Sequence, residues 1–476
     1  MSLARALAHN TAIQIIGKAI STALGFLAFA ILAHNLGTEK FGWYITATGF
    51  LQFIGVLIDF GFTVTTSNML SEPAFDKTKL FNTIFTWRFL TAIISFGLAP
   101  IIILAFPYRA EIKIAVAIMS LSFFCNTLNQ SFIGYYRQKL SMMVATVSEV
   151  LGRVLLVAGI ILLVQRQAGF LPLMSVVTIA TISTTVYLFY NFGRVRFMID
   201  REISRALFIK MWPTALSVMF NTIYLQADRV ILPLYVSQTQ VGLYGAAYRV
   251  LDIIIQVAAI VMGLLMPLIT FSWSRGLIND FKQRYQVSVD LIAWLLFPMI
   301  VGIFVLATPI MILIGGASFA KAGIILKWLS LSILGTSFGM TFGHIILAID
   351  RQKEALIVYG TDALLSLVGY FIFISRFGWA GAVGVTIFSE IYAGLLLTVI
   401  SVKYSNTFPK LRTLLKILAS SIGMGAYLSV MHLSLLPSII VGILTYAAFN
   451  FIFGIPKPET LRQIFSLTKV AEDQVI

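Results

Sequence analysis

Long apolar runs alternate with short polar intervals along the whole chain. Fourteen apolar runs can be marked out, at 12–34, 41–63, 81–106, 113–135, 142–165, 170–191, 211–236, 242–271, 288–314, 323–349, 355–375, 379–402, 413–433 and 435–454. A helix needs about 20 apolar residues to cross the hydrocarbon of a bilayer. Backbone left open in lipid carries unsatisfied polar groups, so runs of this length predict helices. The pattern therefore predicts an all-α integral membrane protein with fourteen spans. None of the odd-numbered connections is long enough to form a domain of its own.

The polar intervals test the count. Cytoplasmic loops carry an excess of Lys and Arg. With the N-terminus inside, the inner segments hold 22 Lys and Arg residues and the outer loops hold 7. The outer set is Lys40, Arg109, Lys113, Arg166, Lys321, Lys327 and Arg376. One missed or extra helix would scramble this alternation, so fourteen spans with both termini inside is the consistent reading. A bacterial inner membrane is the expected location.

Composition agrees with the pattern. The chain has 476 residues, 59% hydrophobic and 11% charged, against about 25% charged in a soluble domain. The net charge of +15 follows from basic loops that set topology and does not call for nucleic acid. A single cysteine, Cys125, excludes an internal disulfide. The four histidines, His9, His34, His344 and His432, stand far apart, so no metal site or cofactor is expected. The opening "MSLARALAHNTAIQ" has no small-residue cleavage site after its apolar run and reads as a retained first helix.

A repeat divides the chain. "ILAHNLGTEKFGWYITAT" begins at Ile31, and "ILPLYVSQTQVGLYGAAY" begins at Ile231. Without a gap they share Ile-Leu, then Gly42 and Tyr44 with Gly242 and Tyr244, then Ala47 with Ala247. A second echo, "RQK", stands at Arg137 after the fourth span and at Arg351 after the tenth. Both echoes are separated by an even number of spans, which predicts parallel repeats related by an axis along the membrane normal. The expected organisation is an N-terminal lobe at 1–193, an amphipathic cytoplasmic linker at 194–206 and a C-terminal lobe at 207–402. A terminal hairpin at 403–456 and a cytoplasmic tail at 457–476 follow. The repeated outer hairpins are expected to face one another. Two pseudo-symmetric lobes are how alternating-access transporters are built.

Specific stretches add a resemblance. "LAHNLGTEKFGWY" resembles the first-hairpin signature of the polysaccharide flippases of the multidrug/oligosaccharidyl-lipid/polysaccharide exporter superfamily. "ADRVILPLYVSQTQVGLYGAAYRV" is similar to their signature at spans 7 and 8, and "FGWAGAVGVTIFSE" resembles their entry to span 12. His34 departs from the first motif, where an arginine is common. The resemblance implies a flippase, not an enzyme, for lipid-linked sugars such as polyprenyl-diphosphate oligosaccharides of the O-antigen type. It also implies contact with membrane lipids and polysaccharide polymerase machinery as a partner. A monomer is expected.

Charges inside the spans are the candidate chemistry, because each costs roughly 2.5–3.5 kcal/mol at a helix centre. The cations are Lys18, Arg88, Arg153, Arg229 and Arg249; the acids are Asp59, Glu149, Asp228, Asp252, Asp362 and Glu390. Glu149 with Arg153 and Arg249 with Asp252 have the spacing of pairs within one helix. Lys18 and Arg88 have no acid three or four residues away, and Asp59 falls at a similar depth. These three form either a charge cluster bracing the first lobe or an inward-opening diphosphate site. The candidate substrate-binding set is Lys18, Arg88, Asp59, Arg153, Arg229 and Arg249. Asp362 and Glu390 are candidate proton or sodium sites. The rivals are a cation-coupled multidrug exporter and a peptidoglycan-precursor flippase, both with the same fold, and a membrane enzyme. The buried cations disfavour the exporter, and the short outer loops, poor in His, Asp and Glu, disfavour the enzyme.

Overall fold

The computed structural model describes residues 3–59, 61–62, 65–66, 69, 75–139, 141–431 and 433–455, so the tail at 457–476 lies outside the described residues. Every long apolar run is helical, and no strand occurs among the described residues. Twelve helical segments among them are long and apolar enough to cross a membrane. Two features account for the difference from fourteen. The first two spans are joined in one segment of that set, and the helix Arg201–Tyr235, at the expected seventh span, is not in it.

The chain divides into two compact units, one ending at Gly242 and one beginning at Leu243. The first unit contains α1 (Leu3–Asp59), α2 (Lys77–Ile102), α3 (Ala110–Gln138), α4 (Met142–Gln165), α5 (Phe170–Phe192) and α6 (Arg201–Tyr235). Helix α1 is broken at Gly37, whose φ of 67° and ψ of 176° are not helical. A side chain is strained at positive φ, so glycine is what lets the first two spans turn there. Helix α1 packs along α3, α4 and α6, α3 packs on α2 and α5, and α4 packs on α5. Phe81, Phe85, Phe132, Leu188, Leu207 and Met211 are almost wholly enclosed in one core cluster of this unit.

The linker expected at 194–206 has no regular secondary structure up to Asp200 and is helical afterwards. Asp200 caps α6 by accepting from the backbone N–H groups of Glu202 and Ile203, both at 3.0 Å. Ile203, Leu207 and Met211 follow at helical spacing and enter the core, while Arg201, Arg205 and Trp212 stay exposed. The part before the helix is tied to α2: the Arg196 N–H donates to Asn82 Oδ1 at 3.3 Å and the Met198 N–H to Thr86 Oγ1 at 3.0 Å.

The second unit continues from α7 (Gln238–Ser274), which begins in the first, through α8 (Ile278–Gly315), α9 (Ala322–Leu329) and α10 (Ser332–Ala348). It ends with α11 (Gln352–Phe377), α12 (Trp379–Ser405), α13 (Leu411–Val430) and α14 (Leu435–Phe453). Helix α12 packs along α10 and α11, and the terminal hairpin α13–α14 packs on α8. The Tyr446 hydroxyl donates to the Trp294 carbonyl at 2.8 Å, which fixes that hairpin.

Candidate functional site

The repeated outer motif has a structural cause. A Cβ on Gly42 would run into the carbonyl oxygen of Gln238, and one on Gly242 would run into that of Thr38. The same Cβ on Gly42 would lie 3.1 Å from the Gly242 nitrogen, and that on Gly242 would lie 2.9 Å from the Gly42 nitrogen. The contact is reciprocal, as expected where two copies of one motif face each other, and only glycine lets the backbones come this close. The Thr46 hydroxyl donates to Gln238 Oε1 at 2.7 Å and locks the same place.

Helices α1 and α4 meet along a seam of small residues on α1. Gly17, Ser21 and Gly25 follow one another at four-residue spacing, the pattern that lets membrane helices approach closely. Gly17 lies against Thr146, and a Cβ on Gly25 would be 3.5 Å from Arg153 Cζ. Between them Ser21 donates to Glu149 Oε1 at 2.7 Å. Lys18 Nζ also reaches Glu149 Oε1, at 3.4 Å, with the two side chains 50% and 36% exposed. The expected Glu149–Arg153 pair is therefore replaced by a bridge between helices. The close seam gives Glu149 two partners on α1, and Arg153 has no acid within ion-pair distance among the described residues.

The other cations fall into different settings. Arg88 Nη2 donates to Asp59 Oδ1 at 2.6 Å, with the two side chains only 3% and 23% exposed. Lys18, Arg88 and Asp59 thus do not share one ion pair: Lys18 turns to α4 and Arg88 to the end of α1. Arg229, on α6, has its backbone carbonyl 3.3 Å from where a Cβ on Gly49 would be, so α6 and α1 are close there. Arg249 meets Asp252 at 3.8 Å on α7, as their spacing predicts.

The second unit buries acid. Asp362 on α11 is fully enclosed and accepts from the Ser389 hydroxyl of α12 at 2.8 Å. Its other oxygen, Oδ2, has no hydrogen-bond partner among the described residues. Glu390, the next residue on α12, is also buried. A Cβ on Gly335 of α10 would collide with the Glu390 backbone carbonyl, so the two helices are nearly in backbone contact there. Neither acid has a Lys or Arg within ion-pair distance among the described residues. A buried, uncompensated carboxylate favours a proton or a cation. Chemically, the first unit offers cations to an anion, and the second offers acids to a cation.

Sequence reasoning located the charges and missed their uncharged partners. Ser21 and Ser389 complete the two sites, and both are single hydroxyls among many. The signal for Ser21 was its place between Gly17 and Gly25.

The fold is shared with known transporters. A lipid II flippase, MurJ, in an inward closed conformation is 18% identical, covers 92% of this chain and 98% of its own, and superposes with a TM-score of 0.77. A multidrug resistance MATE family transporter of the MOP superfamily, inward-facing, is 14% identical over 82% of this chain and 98% of its own, with a TM-score of 0.65. A MOP superfamily transporter from Pyrococcus furiosus is 14% identical over 85% of this chain and 96% of its own, with a TM-score of 0.60. Among curated proteins no sequence matches. The family described as "Polysaccharide biosynthesis protein" matches residues 7–273, more than half of the chain and including both copies of the repeated motif and the α1–α4 seam, and the protein belongs to that family.

Proposed function

We propose that the protein is a flippase that carries a polyprenyl-diphosphate-linked oligosaccharide across the bacterial inner membrane for cell-surface polysaccharide synthesis. The observation that carries the reading is the surplus of cation at the α1–α4 seam, where Lys18 and Arg153 flank one carboxylate, Glu149. An anion of two phosphates suits that pair. A guanidinium grips phosphate oxygens in a bidentate fork, and an ammonium adds a mobile point charge. Glu149 and Ser21 hold Lys18 in place until the anion arrives. Membership of a polysaccharide biosynthesis family supports a sugar-bearing substrate.

No covalent bond changes in such a cycle. The protein binds the charged head, shields it from hydrocarbon and releases it on the other side while the tail stays in lipid. Alternating access by the two pseudo-symmetric lobes, with both termini cytoplasmic, is the proposed route. Asp362 and Glu390 are the proposed place where a proton or sodium ion is taken up to drive it. The Arg88–Asp59 pair braces the first lobe.

A second reading is a flippase for the peptidoglycan precursor. It is favoured by the likeness to a lipid II flippase and uses the same diphosphate chemistry. A multidrug exporter fits less well, because an uncompensated Arg153 repels a cationic drug. The test is binding by purified protein. It should bind decaprenyl diphosphate, and Lys18→Gln and Arg153→Gln should each weaken binding by about tenfold or more, as expected for loss of one charge-assisted contact. Unchanged binding in both variants would remove the seam from the substrate path.

A further inference from the structure

An apolar groove of about 470 Å³ runs along the flank of the α1–α4 seam. Ile13, Ile16 and Ile20 form its α1 wall, Val147 and Leu151 are on its α4 wall, and Gly17 lies between. Ile16, Ile20, Val147 and Leu151 are all exposed, so no side chain fills the groove. The missing Cβ of Gly17 lets α1 lie directly on Thr146 there.

The position relative to the charges is informative. Successive helical residues turn by about 100°, so Ile16 and Ile20 project from the side of α1 roughly opposite Lys18. Charge therefore lies on one flank of α1 and an empty apolar channel on the other. Their heights match as well. The α1 wall, from Ile13 to Ile20, brackets Lys18, and the α4 wall, from Met143 to Val154, brackets Glu149 and Arg153. Along α4 the groove is about 16 Å long, taking 1.5 Å per residue.

We infer that this groove is a binding site for the isoprenoid tail of the substrate, whose diphosphate is held on the other flank of α1 by Lys18 and Arg153. The inference rests on the proposed function and adds a place for the tail. Lys18 lies six residues inside the expected inner edge of its span, about 9 Å into the hydrocarbon. A lipid whose phosphates sit at that depth has its first isoprene units level with the groove. An ordinary phospholipid keeps its phosphate at the membrane surface and presents no such match. Draped over α1, the tail leaves the head on the polar side while its own hydrocarbon stays in contact with hydrocarbon throughout. The apolar walls then select for a chain and the charges for its head, so neither a free diphosphate nor a neutral lipid satisfies both.

The experiment compares two probes on the purified full-length protein: decaprenyl diphosphate and inorganic diphosphate. Val147→Trp and Leu151→Trp fill the groove from α4 without touching Lys18 or Arg153. Each should weaken decaprenyl diphosphate by about tenfold, because several buried methylene equivalents are lost, and should leave inorganic diphosphate unchanged. Lys18→Gln should weaken both. A decaprenyl diphosphate carrying a photoreactive group on its first isoprene units should label wild-type peptides spanning 13–20 and 143–154, which reads the site even if a Trp variant fails to fold. Wild-type binding of decaprenyl diphosphate with no loss in either folded Trp variant, or labelling confined to other helices, would overturn the inference. So would equal displacement of the photoprobe by phosphatidylglycerol, which would make the groove a general lipid contact. Failure of the wild type to bind either diphosphate would instead overturn the proposed function, and the inference with it.

Discussion

Lys18 and Arg88 look alike in the sequence, as cations within spans and without acids one turn away, and their surroundings predict opposite phenotypes. Arg88 is 3% exposed and its Nη2 is 2.6 Å from Asp59 Oδ1. Breaking a buried pair by removing one partner costs about 3–5 kcal/mol. That is roughly a hundred- to several-thousand-fold in the folded-to-unfolded ratio, enough to deplete most membrane proteins from the cell. Lys18 is half exposed and meets Glu149 at 3.4 Å, a geometry in which pairs contribute about 0–1 kcal/mol. Ser21 still donates to Glu149 when Lys18 is gone. Arg88→Ala should therefore lower the amount of protein in the membrane and its midpoint of unfolding in detergent, whereas Lys18→Ala should leave both near wild type and abolish export. The double variant Arg88→Met, Asp59→Leu should recover much of the lost stability, because it removes both charges together. The reasoning fails if Arg88→Ala accumulates and unfolds like wild type while losing only transport, or if Lys18→Ala removes the protein from the membrane.

Two further outcomes follow from the same geometry. Gly42→Val and Gly242→Val each drive a side chain into the opposing backbone, so either should part the two outer hairpins. Cysteines at Thr38 and Thr239 in a Cys125→Ser background should then crosslink several-fold more slowly than they do with both glycines present. Asp362→Asn removes the charge of the enclosed carboxylate and keeps its shape and its bond from Ser389; transport in vesicles should lose its response to imposed sodium and proton gradients, and a retained response would free Asp362 from coupling.

Much of the fold was legible because membrane helices must satisfy their backbones internally, so length and apolarity alone mark them. The long run broken at Gly37 was read correctly as two spans because Gly37, Thr38, Glu39 and Lys40 interrupt the apolar pattern. The Arg249–Asp252 pair was legible because both residues sit on one helix, where spacing fixes proximity. The pairing of Glu149 was not, because spacing within α4 competes with a partner on α1 that only the tertiary seam supplies. Helical periodicity cannot say which neighbour a charge will choose. The repeat at Gly42 and Gly242 was visible as a pattern, and its reason became clear only from two backbones in contact.

The central claim is that the protein moves a lipid-linked oligosaccharide across a bilayer, and vesicles reconstituted with the purified protein test it directly. A polyprenyl-diphosphate oligosaccharide distributed over both leaflets is exposed to a membrane-impermeant glycosidase added outside. With the wild-type protein, digestion should run on past the outer-leaflet pool toward completion. With Lys18→Ala it should stop where it stops in protein-free vesicles. Wild-type vesicles that stop at the same point as empty ones, under sodium and proton gradients of either sign, would contradict the account.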